Sequence, residues 1–544
     1  MLTYTPESER PASSLKEQDK PWLLILLCLF WLLPGLFGHD PWKPQENENA
    51  ALIASLLRQD SWVIPWLADR PYFETAPLYF WVAALFANAL AWFGVAIHDA
   101  ARLSTGFWMA LSLWGVGLAG RELFGHRYGR LTVVLVMGSL GLVLWSRHIA
   151  PAALVFAAYS WAFYALVHSL KKPLLSGLML GLSLLGLLLG ANWADALLVL
   201  LMAVGLGLSR HWRKQAYLVT LVSALIVAVP LAALWGYALH SESPQLFYAW
   251  RQFYAWGPYG GSKTILWFHQ PGFLLSTLLW FAWPVLPLAL WSLWVNRREL
   301  AKHPRWFLLL WLMGTLIVYI VCAGSPNETT VLPLLLVFSL IAAAGIDELK
   351  HGAAAALNSF SILTFGLSAI VLWLVWLMLI LGAPDSDIFR QFSRVSTIPF
   401  TVHAIGLIFS IVASILWGSI LLRRRAMGRK ALTNWTCSLI LLLSVFVGLF
   451  QNWVDTGKSY RPVASQVQTL ADTLQPNCLD ASEMSSELIG AMVYFTTLKI
   501  KTTTNNDCSM AIRSGLDFAK EDWHLMDKTQ RRGESKEQIY IFQK

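Results

Sequence analysis

The sequence predicts an all-α polytopic membrane protein of about thirteen transmembrane helices, with a small α/β domain at its C-terminal end. Three observations carry that expectation. Of 544 residues, 56% are hydrophobic and only 13% charged, and the mean hydropathy of +0.53 is too high for a soluble enzyme. Long apolar runs recur through the first 450 residues, accompanied by 29 Trp. From about Asn452 onward the composition turns to that of a soluble domain.

The elements follow in order. Met1–Lys20 is polar, and Pro21–Phe37 has no small-residue cleavage site after it, so it reads as an uncleaved first helix. Fourteen apolar runs are visible, at 22–38, 77–95, 104–119, 131–146, 151–168, 173–189, 194–208, 215–238, 273–295, 305–323, 330–346, 359–383, 400–422 and 432–450. Cation-rich loops ("GRELFGHRYGR", "HSLKKP", "SRHWRKQ", "NRRELAKHPR", "RRRAMGRK") alternate with cation-poor ones from 120 to 450, which makes the basic loops cytoplasmic. The net charge of +9 is thus explained by orientation in the membrane rather than by nucleic acid. A cytoplasmic N-terminus, with Arg10, Lys16 and Lys20, fits this alternation only if one run before residue 120 does not cross. The run 77–95 is the one expected to lie at the interface, since Pro77 suits a first helical turn and aromatics follow it. That leaves thirteen spans and an outward C-terminus.

Three regions result: a tail at 1–21, a membrane domain at 22–450 whose first external loop is 39–103, and a soluble domain at 451–544. In the last, "SELIGAMVYFTTLKIKTTTNNDC" reads as helix then strand and "EQIYIFQK" as a final strand. A domain this small has a limited core. A Cys478–Cys508 bridge in an oxidising compartment would add a few kcal/mol, whereas Cys28, Cys322 and Cys437 lie in apolar runs.

The first external loop concentrates ionisable groups. Asp40, Lys43, Glu46, Glu48, Arg58, Asp60, Asp69, Arg70 and Glu74 fall between the first helix and the run at 77. Its opening "HDPWKPQE" and closing "YFETAPLYFW" resemble the GT-C membrane glycosyltransferases, in particular aminoarabinose (lipid A) transferases and protein O-mannosyltransferases. Asp40, Lys43 and Glu46 match an acidic–basic–acidic pattern of that family, and Tyr72, Phe73, Glu74, Pro77, Leu78 and Tyr79 match most of its second block. The likeness covers roughly the first 350 residues. It departs at Thr75, at "GANWAD" (Asn192, Trp193) and at "GSPNETTVLP" (Asn327, Glu328), where the family carries lysines. "SRHIAP" lacks an acidic residue that the family often has.

The resemblance implies a bacterial inner-membrane enzyme that takes a sugar from a polyprenyl (undecaprenyl) phosphate and passes it to a periplasmic lipid, glycan or protein. Such transfer needs a nucleophilic hydroxyl, a carboxylate to accept its proton and cations for the departing phosphate. A carboxylate opposite the leaving group gives inversion. Asp40, directly after the first helix, is the expected base, although Asp40–Pro41 also suits a helix start. Glu74 is the second expected catalytic carboxylate; it could orient the acceptor, bind a divalent metal ion or favour a helix N-terminus. Lys43, Arg58, Arg70, Arg251 and His269 are the expected phosphate-binding groups, each with a solvated surface role as its alternative. The aromatic, glycine-rich loop at 248–272 suits a mobile cover, or an interfacial aromatic belt. No P-loop, dinucleotide fingerprint or nucleophile elbow is present, which argues against nucleotide-sugar chemistry. The rival class is a non-catalytic polyprenyl-lipid binder or flippase, for which charges within the spans would argue; Asp195 is the main example.

Overall fold

The computed structural model describes residues 21–544 apart from 44, 59–61, 262–269, 271, 382–402, 423–426, 504–506, 516–522, 532–533 and 535–536. Helix α1 (Pro21–Leu32) leads into the first loop, which folds as α2 (Glu46–Arg58), the hairpin β1–β2 (Trp66–Leu67, Arg70–Pro71) and α3 (Leu78–Ala91). The bundle continues through α4 (Ile97–Phe124), α5 (His126–Met137), α6 (Leu140–Trp145), α7 (Ala152–His168), α8 (Pro173–Gly190) and α9 (Trp193–Gly207). Then come α10 (Gln215–Glu242), α11 (Pro244–Ala249), α12 (Phe273–Phe281), α13 (Val285–Val295), α14 (Pro304–Cys322) and α15 (Glu328–Gly345). Helices α16 (His351–Leu381), α17 (Ala404–Leu421) and α18 (Met427–Lys458) complete the membrane part.

Among the described residues, eight helices are long and apolar enough to cross a membrane, or nine if α12 and α13 count as one bent span. This is a multi-pass membrane protein. Helix α3 has 14 residues, fewer than the roughly 20 that a crossing needs.

Two runs that the sequence presents as single spans are broken. The run 131–146 divides into α5 and α6, and the run 273–295 divides into α12 and α13, bent by 96°. The breaks face each other: the Leu140 N–H at the start of α6 donates to the Trp283 carbonyl between α12 and α13, at 3.2 Å. Backbone groups freed within a membrane must find partners inside the protein, and each break supplies one to the other. Pro284, which has no N–H, adds no further donor to be satisfied.

The C-terminal part starts with α19 (Arg461–Leu474), followed by β3 (Leu479–Asp480), α20 (Ser486–Phe495), β4 (Ile500–Lys501), β5 (Met510–Arg513), β6 (His524–Gln530) and β7 (Gln538–Gln543). Its five-stranded sheet has the order β4-β3-β5-β7-β6. The β3–β4 and β3–β5 pairs are parallel, while β7 runs antiparallel to both β5 and β6. Helix, strand and final strand fall where the sequence patterning put them. Cys478 and Cys508 form a disulfide just ahead of the adjacent strands β3 and β5.

This domain does not hang free. Leu52, Ile53, Tyr79 and Phe80 from the first loop share one buried core with Val463, Val467, Leu488 and Met492. Helix α20 approaches α2 so closely that a Cβ on Gly490 would lie 2.7 Å from the backbone of Glu48. Only glycine permits that contact.

Candidate functional site

The charges of the first loop sort into two centres. The first is built around Arg102 of α4, whose side chain is fully buried. Its Nε donates to Glu46 Oε1 and its Nη2 to Glu46 Oε2, each at 3.2 Å. Nη1 donates to the His39 carbonyl (2.7 Å) and to Asp99 Oδ1 (3.2 Å), and Nη2 also donates to the Asp40 carbonyl (2.8 Å). All five guanidinium donors are thereby used. Glu46 further accepts from the Trp42 and Ile149 N–H groups at 2.9 and 3.0 Å. Burial pushes the Glu46 carboxyl up, but Arg102 and the nearby histidines outweigh it and hold the carboxyl at about 2.

Asp40 belongs to this centre. Its carboxylate accepts from Arg461 Nε at 2.9 Å and from Ser459 Oγ at 2.6 Å, and Arg461 Nη2 closes a two-pronged ion pair. Burial raises the Asp40 carboxyl, yet the hydrogen bonds from Arg461 and Ser459 prevail and hold it below the ordinary aspartate value. Lys43 pairs with Glu537 and lies 5.4 Å from the Tyr460 ring centroid. Arg70 donates to the Thr502 carbonyl, and Asp69 accepts from the Thr502 N–H at 2.9 Å. The acidic–basic–acidic triplet therefore ties the loop to α4 and to the C-terminal domain.

The second centre is a cavity of about 480 Å³. Glu48 and Asn49 of α2, Tyr72, Glu74 and Thr75, Asn192 and Asp195 at the start of α9, Phe253 and Tyr254, and Asn327 and Thr330 at the start of α15 line it. Local sequence explains these positions. Asn192 caps α9 by accepting from the Asp195 N–H (3.0 Å), and its amide donates back to Asp195 Oδ2 (2.7 Å). Tyr159 donates to Asp195 Oδ1 at 2.7 Å. Asn327 caps α15 through the Thr330 N–H at 3.1 Å, within a capping box. Gly257 (φ +53°) lays its backbone on Asn192, where a Cβ would come within 2.5 Å.

Three acidic side chains, Glu48, Glu74 and Asp195, face this cavity, and among its described lining residues there is no Lys, Arg or His. The N-termini of α7, α9 and α15 reach its wall through Ala152, Asn192 and Asn327. They supply partial positive charge and backbone N–H groups in place of cations. Burial first, then Glu74 and Glu487, push the Glu48 carboxyl up to about 7.

Of the described residues expected from the sequence to be catalytic or phosphate-binding, the cavity gathers Glu74 alone; Tyr72, Thr75, Asn192, Asp195 and Asn327, named there for other reasons, also line it. Asp40, Lys43 and Arg70 are held at the seam with the C-terminal domain. Arg58 is exposed at the end of α2, and Arg251 is exposed on the turn Trp250–Tyr254 whose Phe253 and Tyr254 line the cavity. His269 lies outside the described residues. Glu48 and Asn49 carried a signal that spacing could have revealed: Glu46 and Glu48 are two apart on a helix, hence about 200° apart around its axis. If Glu46 faces a buried arginine, Glu48 must face elsewhere. Among the described residues no group of three or more His, Cys, Asp or Glu is arranged to hold a metal ion.

Comparison with known proteins gives a consistent picture. The chain is 29% identical over 368 residues to an undecaprenyl phosphate-α-4-amino-4-deoxy-L-arabinose arabinosyl transferase of Pseudomonas aeruginosa (strain LESB58), covering 64% of each chain. It is 26% identical over 345 residues to a protein of the same name from Pectobacterium atrosepticum, covering 60% of this chain and 59% of that one. These matches thus span somewhat less than two thirds of the relatives' length. The structure of ArnT from Cupriavidus metallidurans bound to undecaprenyl phosphate superposes with a TM-score of 0.66, covering 98% of both chains at 15% identity. No family model matches. The helical membrane bundle with its α/β C-terminal domain is the fold of that structure, and the relatives of similar sequence carry the name of one of the groups that the first loop resembles.

Proposed function

We propose that this chain is an inner-membrane glycosyltransferase that moves an amino sugar from a polyprenyl phosphate to an acceptor on the periplasmic side. The observation that carries the reading is the acidic cavity, with no cation among its described lining residues, set in a fold shared with a solved undecaprenyl-phosphate-bound protein. The names of the relatives supply the donor class. A sugar bearing an ammonium group is attracted by Glu74 and Asp195, whereas a neutral sugar gains nothing from them. The alternating cationic loops support thirteen crossings, with regions 22–450 in the membrane and 451–544 outside. The Cys478–Cys508 bond suits an oxidising compartment.

In this reading the donor phosphate approaches the N-termini of α7, α9 and α15, and Arg251 meets it from the neighbouring turn. Arg58 sits ten residues along α2 from Glu48, ~15 Å at 1.5 Å per residue, and serves capture of the lipid rather than chemistry. Asp40, through Arg461, and Lys43, through Glu537, position the C-terminal domain over the first loop.

The test uses purified full-length protein, an envelope extract as acceptor pool, and undecaprenyl phosphates carrying either 4-amino-4-deoxy-arabinose or plain arabinose. The amino sugar should be transferred about 10-fold faster or more, the scale of one charged hydrogen bond. Asp195→Asn should shrink that preference. Equal transfer of both sugars would remove the amino-sugar assignment, and donor binding without any transfer would favour the lipid-binding or transport class.

A further inference from the structure

Building on the transferase reading, we infer that the ring of Tyr254 is the seat of the donor's sugar, with Asp195 and Asn192 at the start of α9 binding the sugar's polar edge. Tyr254 ends the turn Trp250–Tyr254 and lines the cavity. Its ring packs at a tilt against Phe73, with 5.8 Å between centroids, and Phe73 immediately precedes the cavity carboxylate Glu74. On the other side, the carbonyl of the next residue, Ala255, accepts from the Trp193 N–H at 2.7 Å, two residues before Asp195. Tyr254 therefore stands between the segment that carries Glu74 and the helix start that carries Asp195.

The chain that follows Tyr254 is held at several points. The Pro258 carbonyl accepts from the Gly324 and Ser325 N–H groups at 3.1 and 2.9 Å, just ahead of α15. Tyr259 donates to the Tyr319 carbonyl at 2.7 Å. Gly257 lies against Asn192 too closely for any side chain. The backbone is thereby fixed to both helix starts, yet Tyr254 keeps 40% of its surface exposed. An apolar ring on a fixed backbone, facing a cavity with a few polar groups on its other walls, is the usual build of a small-ligand site.

A sugar suits such a site because it has two kinds of surface. Its C–H groups form apolar patches that an aromatic ring can cover, and its hydroxyls lie at the edge, where they need polar partners. An amino sugar adds an ammonium group, which the face of an aromatic ring attracts. At the edge, Asp195 accepts from Tyr159 through one oxygen and from the Asn192 amide through the other, each at 2.7 Å. Each carboxylate oxygen has a further lone pair, so Asp195 can still accept from a hydroxyl or an ammonium. Arg251, set above against the donor phosphate, lies three residues before Tyr254 on the same turn, which places phosphate and sugar of one donor on neighbouring positions of the chain. The seat serves the donor, whether the acceptor oxygen belongs to a phosphate or to a carbon.

The experiment measures binding of the purified full-length protein to two lipids, undecaprenyl phosphate alone and undecaprenyl phosphate carrying 4-amino-4-deoxy-arabinose. The wild type should bind the sugar-bearing lipid about 10-fold more tightly. Tyr254→Ala should erase most of that preference and leave binding of the bare lipid unchanged. Tyr254→Phe should keep the preference, since the ring and not the hydroxyl makes the contact. Tyr248 is an exposed aromatic that does not line the cavity, and Tyr248→Ala should behave as the wild type. An equal loss of both lipids by Tyr254→Ala, the mark of a ring that only packs or faces the bilayer, overturns the inference. So does a Tyr254→Ala protein with its preference intact, or a wild type that binds both lipids equally. Transfer is read separately: a protein whose sugar preference depends on the Tyr254 ring but which glycosylates no acceptor keeps this seat and loses the transferase reading.

Discussion

Asp40 and Glu48 lie within one short stretch of the first loop, yet their surroundings are opposite. Around Asp40 and Glu46, carboxylate oxygens meet Arg461, Ser459, Arg102 and two backbone N–H groups. Around Glu48 there is a cavity, three other carboxylates (Glu74, Asp195 and Glu487) and no cation among the described lining residues. The contrast teaches that an ionisable group near a membrane surface reveals its role by what satisfies it. A carboxylate whose partners are complete holds the chain together, and changing it is felt in stability. A carboxylate held in place without partners is available for chemistry, and changing it is felt in rate.

The contrast can be broken first at its most buried point. Arg102→Met leaves Glu46 buried without its partner, and such orphaned charges cost about 3–5 kcal/mol. The apparent melting temperature of the purified protein should drop sharply, and Arg102→Met combined with Glu46→Gln should recover part of the loss. Next in size is the disulfide. Cys478→Ser with Cys508→Ser opens a loop with a sequence separation of 30 and should cost about 2–4 kcal/mol, read as faster proteolysis of the C-terminal domain.

Asp40→Asn comes third. Its ion pair is with a half-exposed arginine, so the loss is about 1 kcal/mol once solvent screening is allowed for. The sign of its pH dependence follows from its lowered proton affinity: the Asp40 contribution is complete above the ordinary aspartate value and fades as pH falls through the depressed folded value. Protease accessibility of the C-terminal domain should therefore rise in acid for the wild-type protein, and less so for Asp40→Asn. The smallest effect belongs to exposed Arg58, where Arg58→Ala should change stability by no more than about 0.5 kcal/mol. A loss as large as that of Arg102→Met would mean that α2 is held differently.

Much of the architecture was legible because its physics is local. Apolar runs, basic loops and the helix–strand patterning of the tail depend on neighbours in sequence. The broken runs at 131–146 and 273–295 were not legible, because each break is stabilised by a backbone hydrogen bond from Leu140 to Trp283. Asp40 and Lys43 were visible as charges, but Arg461 and Glu537, which engage them, lie more than four hundred residues away. The loss of family lysines at Asn192 and Asn327 was also visible in the sequence. That both asparagines cap helices whose N-termini face one cavity became visible only in three dimensions.

The most direct test of this division of labour places Asp40→Asn and Glu48→Gln side by side, each assayed for thermal unfolding and for transfer from an undecaprenyl phosphate amino sugar. The account predicts a crossing. Asp40→Asn should melt earlier and keep at least about a tenth of the transfer rate, while Glu48→Gln should melt with the wild type and lose transfer about 100-fold. The opposite crossing, with Asp40→Asn inactive but fully stable and Glu48→Gln active, would contradict it.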